Sequence, residues 1–158
     1  MPPSRGSNHV SKREDAMGEA REVMDRFTAA AFETKDFTTA AECYADGAVV
    51  VTPDQGEVTG REAIVAYLRD LADPFPDVRL EYEAKHESGN VAIDEWYTTG
   101  THSAPLPMPT GETIPATGKQ IRVRGCDVAT VEGGRITSHR IYFDQIELLG
   151  QLGLLPDA

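Results

Sequence analysis

Three side chains in this sequence are best suited to moving protons: His139, His102 and Asp94. Imidazole titrates near neutrality, so a histidine in a pocket can act as general base or general acid. His139 lies in the stretch GGRITSHRIYFD, where strand alternation groups it with Thr137, Ile141 and Phe143 on one face. The alternative for His139 is a histidine hydrogen-bonded within the sheet. His102, in Thr101-His102-Ser103, sits where a long strand meets a proline-rich loop, the expected mouth of a pocket. A loop-anchoring histidine is the plainer reading there. Asp94 shares a strand face with Trp96, the single tryptophan. Turned inward, Asp94 would have its pKa raised by burial and become a partner in proton transfer; turned outward, it is a solvated carboxylate. Trp96 reads as core or as an aromatic wall for a flat ligand.

Supporting groups are less specific. Arg122 and Arg124 alternate with Ile121 and Val123; facing inward with Cys126 and Ile141, they could bind a carboxylate or an enolate. A flared sheet edge or a dimer face explains them as well. Tyr44, Tyr67, Tyr82 and Tyr142 could each lend a hydroxyl to a pocket, or pack with the hydroxyl wet. His9 and His86 read as surface residues, and the four histidines have no metal-ligand spacing, so a metal is not expected.

The element that positions these groups is the stretch 133–155. Gly133-Gly134 between β-branched runs signals a two-residue hairpin, whose favoured turns need positive φ at both central positions. A strand from Arg135 then pairs antiparallel with one ending at Glu132. A regular ladder sets Ala129 opposite Ser138, Val128 opposite His139, Asp127 opposite Arg140 and Cys126 opposite Ile141. It makes Asp127–Arg140 an opposite-charge cross-strand pair.

Upstream, Met17, Ala20, Met24, Phe27 and Ala31 form an apolar stripe on a helix capped by Ser11 with Glu14 three residues on. Asp36 caps a second helix carrying Phe37, Ala40, Ala41 and Tyr44 as far as Asp46-Gly47. Ala48 to Thr52 is a strand, 53–59 a polar loop, and Gly60-Arg61-Glu62 opens a third helix ended by Pro74 and Pro76. Val78 to Glu87 and Val91 to Ser103 are strands around a Gly89-Asn90 turn. The loop 104–118 holds Pro105, Pro107, Pro109 and Pro115, a composition suited to a lid or binding loop. Lys119 to Val131 pairs with the closing strand, and a short apolar helix ends the chain. Helices on one side of a mainly antiparallel sheet define an α+β fold, shaped as a cone around an apolar cavity.

The 158 residues suit one domain, taken as 13–158 after a disordered N-terminus, 1–12. The net charge of -11, with scattered Lys and Arg, speaks against nucleic acid as a partner. Cys43 and Cys126 fit neither a disulfide framework nor a C-x-x-C site and read as reduced thiols of a cytoplasmic protein. No signal peptide or membrane-spanning run is visible.

The segments GREAIVAYL, DPFPDVRLE, TGTH, PATGK, GGRITSHRIYFD and LLGQLGLL resemble, in order and spacing, the SnoaL-like branch of the NTF2-like superfamily. That branch includes polyketide ester cyclases and is related to limonene epoxide hydrolases. The resemblance runs from about Ala20 to the end. It implies an NTF2-like cone with three helices and a short C-terminal helix, a homodimer, a buried pocket for a small hydrophobic ligand, and no metal or organic cofactor. It also implies an acid in the closing strand, and that position falls on Ile141, with Asp144 matching only a second, non-catalytic aspartate. The polar residue that cyclases carry on the third helix falls on Tyr67, and the water-holding pair of the epoxide hydrolases falls near Val50 and Thr52.

Two functions follow. One is a cofactor-independent cyclase, isomerase or dehydratase acting on a hydrophobic carbonyl compound. In it His139 moves the proton with help from His102 or Asp94, and Trp96, Ile141, Phe143, Tyr67, Cys126, Arg124 and Tyr44 line the site. The other is a non-catalytic binding protein of the same fold, the reading that Ile141 favours.

Overall fold

The structure is a computed structural model and describes residues 18–155. The expected Ser11–Glu14 cap, the stripe's Met17, the expectation of disorder over 1–12 and both ends of the expected domain lie outside the described residues. Helix α1 spans Glu19–Thr28 and runs on through a π-turn, Ala29–Glu33. Helix α2 is Phe37–Glu42, α3 is Arg61–Ala72 and α4 is Gln145–Gln151. The strands are β1 Tyr44–Thr52, β2 Gly56–Thr59, β3 Arg79–Ser88, β4 Val91–Thr101, β5 Leu106–Pro107, β6 Thr113–Ile114, β7 Gln120–Glu132 and β8 Arg135–Phe143.

Six strands form one sheet in the order β2-β1-β8-β7-β4-β3. All its pairings are antiparallel except β1 with β8. Helices α1 and α3 close the concave side, giving the mixed α+β cone expected from the sequence. Phe27, Met24, Ile64 and Leu68 are fully buried between helices and sheet. Each such side chain contributes about 1.5–3 kcal/mol through removal of its apolar surface from water.

Local chemistry accounts for most boundaries. Asp36 caps α2 by accepting from the Thr39 backbone N–H at 3.1 Å, and Asp144 caps α4 by accepting from Glu147 N–H at 3.0 Å. Gly133 and Gly134 both take positive φ, 59° and 77°, which the two-residue turn between β7 and β8 demands.

Four expectations are corrected. Helix α2 stops at Glu42, and Tyr44 opens β1 instead, because its ring is drawn into the core. The stretch 53–59, expected as a loop, contains β2 paired on β1. The proline-rich stretch folds into a small β5–β6 hairpin whose Leu106 packs on Phe75, Val78 and Ile121. It buttresses the cone and does not cover the cavity.

The fourth correction concerns register. Next to the turn, Glu132 pairs with Arg135 and Val131 with Ile136, but Thr130 then pairs with Ser138. Thr137 is an extra residue, a β-bulge, and its hydroxyl donates to the Thr130 carbonyl at 3.3 Å. Every later pair is displaced by one: Ala129 faces His139, Val128 faces Arg140, and Asp127 faces Ile141. Without the bulge, the inward position of Ile136 would carry Ser138 and Arg140 into the core. With it, His139, Ile141 and Phe143 turn inward and the expected Asp127–Arg140 pair does not form.

Candidate functional site

The cone encloses a cavity of about 90 Å³ between the α1 π-turn, the end of α3, α4 and the inner faces of β3, β4, β7 and β8. Its walls are mainly apolar, with Phe32, Leu71, Phe75, Ile141, Phe143 and Leu148 among them. Phe32 reaches it because the π-turn inserts one residue into the helix; Thr34 N–H bonds the Ala29 carbonyl five residues back at 2.9 Å. A groove along the π-turn and β3 shares Thr28, Phe32, Val78, Leu80 and Tyr82 with the cavity.

Polar groups gather at one end. Asp127 and Asp94 face each other across β7 and β4, and Asp127 in turn faces Ile141 across β8. Cross-strand partners point to the same side of a sheet, so a single row carries Asp94, Asp127 and Ile141 into the cavity. The Asp127 carboxylate accepts from Trp96 Nε1–H at 3.0 Å on Oδ1 and contacts His139 Nε2 at 2.7 Å through Oδ2. On the other side of the imidazole, Tyr44 Oη lies 2.6 Å from His139 Nδ1. A carboxylate only accepts, so Nε2–H donates to Asp127, and in the tautomer protonated at Nε2 alone Nδ1 accepts the Tyr44 hydroxyl proton. Both His139 and Tyr44 are fully buried, with the Phe27 ring edge-on to each at 5.3 and 5.2 Å. Burial pushes the Tyr44 phenol far up, with the charge of Asp127 adding to the effect.

Trp96 reaches Asp127 because Gly125 stands opposite it. A Cβ at 125 would lie 2.3 Å from the indole Cη2 and 2.7 Å from the Tyr142 carbonyl. Only glycine leaves the ring room to lie across β7.

Asp94 is 1% exposed and pairs with Arg21 of α1 at 2.7 Å. Arg21 also bonds Asp25, which Lys85 reaches from β3. Burial raises the pKa of Asp94, and the negative charge of Asp127 raises it further, while Arg21 pulls it down. Asp94 is therefore inward and buried, not solvated.

The other expected site residues are distributed as follows. Trp96, Ile141 and Phe143 line the cavity. His102 does not: it is fully buried beneath the proline-rich stretch, where Nδ1 accepts from Thr117 N–H at 3.2 Å and the ring packs on Phe75. It anchors that segment, and it shares no cavity with His139. Tyr67 donates to Asp54 at 2.7 Å, away from the cavity. Tyr44 stands behind His139. Arg124 and Cys126 correct the inward expectation; they lie on the outer face of the sheet, in a depression with Glu83 and Glu95, since the odd-numbered residues of β7 take the inner face. Arg122 is likewise outside, paired with Glu81. Thr137 is taken out of phase by the bulge. Among the described residues no group of three or more His, Cys, Asp or Glu side chains is placed to hold a metal ion.

Asp127 is a site residue that a regular ladder would pair with Arg140 and so leave out of the site. Its signal was present: it is an acid in phase with Ile121, Val123, Ala129 and Val131, the apolar face of its own strand. What the arrangement offers chemically is a carboxylate oriented by two N–H groups, beside a second carboxyl with raised pKa, at the end of an apolar cavity.

The sequence profile of the SnoaL-like domain matches residues 24–139. No curated protein matches the chain. Among solved structures, a candidate SnoaL-like polyketide cyclase from Jannaschia sp. CCS1 is 17% identical, with a TM-score of 0.78 over 98% of this chain and 100% of its own. A candidate polyketide cyclase from Acidithiobacillus ferrooxidans is 26% identical, with a TM-score of 0.70 over 85% of this chain and 94% of its own. A limonene-epoxide-hydrolase-like epoxide hydrolase of M. tuberculosis shares 20% identity, with a TM-score of 0.64 over 86% of this chain and 90% of its own. With its cone, its sheet order and a profile match across most of its length, the chain belongs to the SnoaL-like family of the NTF2-like fold.

Proposed function

We propose that the cavity receives a small hydrophobic carbonyl compound and that the protein catalyses cofactor-independent proton transfer on it, as in a cyclisation, isomerisation or dehydration. The observation that carries this reading is Asp127, a buried carboxylate set at the end of an apolar cavity and fixed from two sides by Trp96 and His139. Asp127 takes the proton from a carbon next to the carbonyl, the C–H electron pair moves into the enolate, and the proton returns to carbon or oxygen of the product. His139 is a positioning residue: both its nitrogens are engaged, by Asp127 and Tyr44, so it orients the base and does not meet the ligand as a free base. Asp94, with its raised pKa, is the second proton-carrying group. Water exclusion by the apolar walls strengthens each of these interactions.

A second reading, a binding protein of the same fold, is favoured by Ile141, which stands where the family resemblance implies an acid. Exchange of the C1 protons of 2-tetralone in D2O, followed by NMR, separates the two. Catalysis predicts exchange above the buffer rate in the native protein and a loss of about 10²-fold or more in Asp127→Asn. Binding of 2-tetralone without accelerated exchange, or exchange unchanged in Asp127→Asn, refutes the catalytic reading.

A further inference from the structure

Tyr82 is the tyrosine that lines the cavity, and the network around His139 leaves it unused. It stands on β3 directly opposite Trp96 and lines both the cavity and the groove beside it. Its hydroxyl is buried and makes no hydrogen bond among the described residues. The two buried tyrosines differ: Tyr44 bonds His139 and Tyr67 bonds Asp54. Buried hydroxyls are nearly always partnered, and one facing a cavity without a protein partner is a place for a ligand's oxygen. The ring is held from one side by the Lys85 ammonium, 4.2 Å from its centroid. The hydroxyl therefore has a fixed position.

The charges around it define what it accepts. Burial pushes the Tyr82 phenol up; the Thr28 hydroxyl, near it but not placed to make a hydrogen bond, pulls it back, and Asp94 and Asp127 push it up again. Tyr82 is thus a proton-bearing donor whose charged neighbours in the cavity are two carboxyl groups, and the nearby cations are engaged, Arg21 by Asp94 and Lys85 by Asp25. An incoming carboxylate would meet like charge, whereas a ketone or phenol oxygen would meet a donor. We infer that Tyr82 docks the ligand through a neutral oxygen, so that the cavity selects uncharged ketones and phenols and rejects carboxylates of the same shape. This rests on the reading that the cavity receives the ligand, and it adds the residue and the charge class that decide which ligand.

Trp96, the single tryptophan, lies on the cavity wall, so its emission reports occupancy directly. Three probes of one shape are compared in the full-length protein: 2-tetralone, tetralin and tetralin-2-carboxylate. The native protein is expected to bind 2-tetralone about 10-fold or more tighter than either of the others. Tyr82→Phe, which removes only the hydroxyl, is expected to weaken 2-tetralone about 10-fold and to leave tetralin unchanged; tetralin binding also reports that the variant is folded. Equal 2-tetralone affinity in native and Tyr82→Phe proteins overturns the inference. So does native binding of the carboxylate as tight as that of the ketone, or binding of none of the three. Asp127→Asn keeps failure here distinct from failure of the catalytic reading. If that variant loses exchange while Tyr82→Phe binds 2-tetralone normally, docking at Tyr82 is wrong and acid/base catalysis stands. If exchange survives Asp127→Asn while Tyr82→Phe loses affinity, the reverse holds.

Discussion

The chain Tyr44–His139–Asp127 fixes where one proton sits, and replacing Asp127 by Asn should move it. In the native protein the Asp127 carboxylate receives Nε2–H at 2.7 Å and Nδ1 receives the Tyr44 hydroxyl at 2.6 Å. An asparagine amide keeps its oxygen on Trp96 Nε1–H and turns its NH2 toward Nε2. Two donors then face each other unless the imidazole changes tautomer and carries its proton on Nδ1. That flip makes Nδ1–H donate to Tyr44 Oη and strands the Tyr44 hydroxyl proton in a fully buried site. Exchanging a charge-assisted bond for a neutral one costs about 1–1.5 kcal/mol, and the stranded proton about 1–3 more, so Asp127→Asn should lose about 2–4.5 kcal/mol. Tyr44→Phe alone leaves Nδ1 without its donor, at about 1–3 kcal/mol. In the Asp127→Asn background the same change removes a stranded proton as well as an acceptor, and the two effects offset. Tyr44→Phe should cost near zero there, a coupling of about 1–3 kcal/mol. Urea unfolding of the four proteins by circular dichroism gives the cycle, and ¹⁵N NMR of the His139 ring gives the tautomer. Additivity within about 0.5 kcal/mol, or an Nδ1-protonated ring in the native protein, refutes the hydrogen-bond order described above.

Other perturbations bear on the same site. Gly125→Ala places a methyl 2.3 Å from the Trp96 ring and should cost about 2–3 kcal/mol, with a shifted Trp96 emission as the bond to Asp127 breaks. Arg21→Met leaves Asp94 buried without its cation; since Arg21 is itself partly solvated, a loss of about 2–3 kcal/mol is expected in denaturant titrations, below that of a fully buried pair. Asp94 holds its proton more tightly folded than unfolded. Its contribution to stability is therefore full below the ordinary value of 3.8 and is lost as pH rises through the folded value. The stability of the native protein minus that of Asp94→Asn should fall as pH rises above 3.8, and a difference that grows with pH contradicts the assignment. Asp144→Ala removes the α4 cap and should cost about 1 kcal/mol in thermal melts, with faster amide exchange around Leu148.

Much of this architecture was legible from residue types alone. Gly133-Gly134 located the hairpin, Asp36 located the α2 cap, and alternation placed Trp96 and Asp94 on one face, because turns, caps and pleats are read from neighbouring residues. The bulge at Thr137 was not legible. Threonine is an ordinary strand residue, and nothing local distinguishes a paired threonine from an extra one. That single residue decided the assignment of Asp127, which pairs with Arg140 on a regular ladder and with Ile141 on the real one. The spacing of Tyr44 from Phe37 and Ala41 is helical, whereas burial of its ring against His139 and Phe27 holds it in a strand. Tertiary contact overrode local pattern there. His102 at a strand end beside prolines suggested a mouth; its partners at Thr117 are fifteen positions away and could not be inferred from spacing.

The pairing of 127 with 141 bears on how catalytic acids are counted in folds of this kind. A position in one strand and its cross-strand partner serve the same patch of cavity, so one negative charge has two addresses in the sheet. An Asp at 127 with Ile at 141 keeps the charge in the row where an acid at 141 would have put it. Comparison by position along a single strand records a lost acid. Comparison by row finds a carboxylate in the same patch of the cavity.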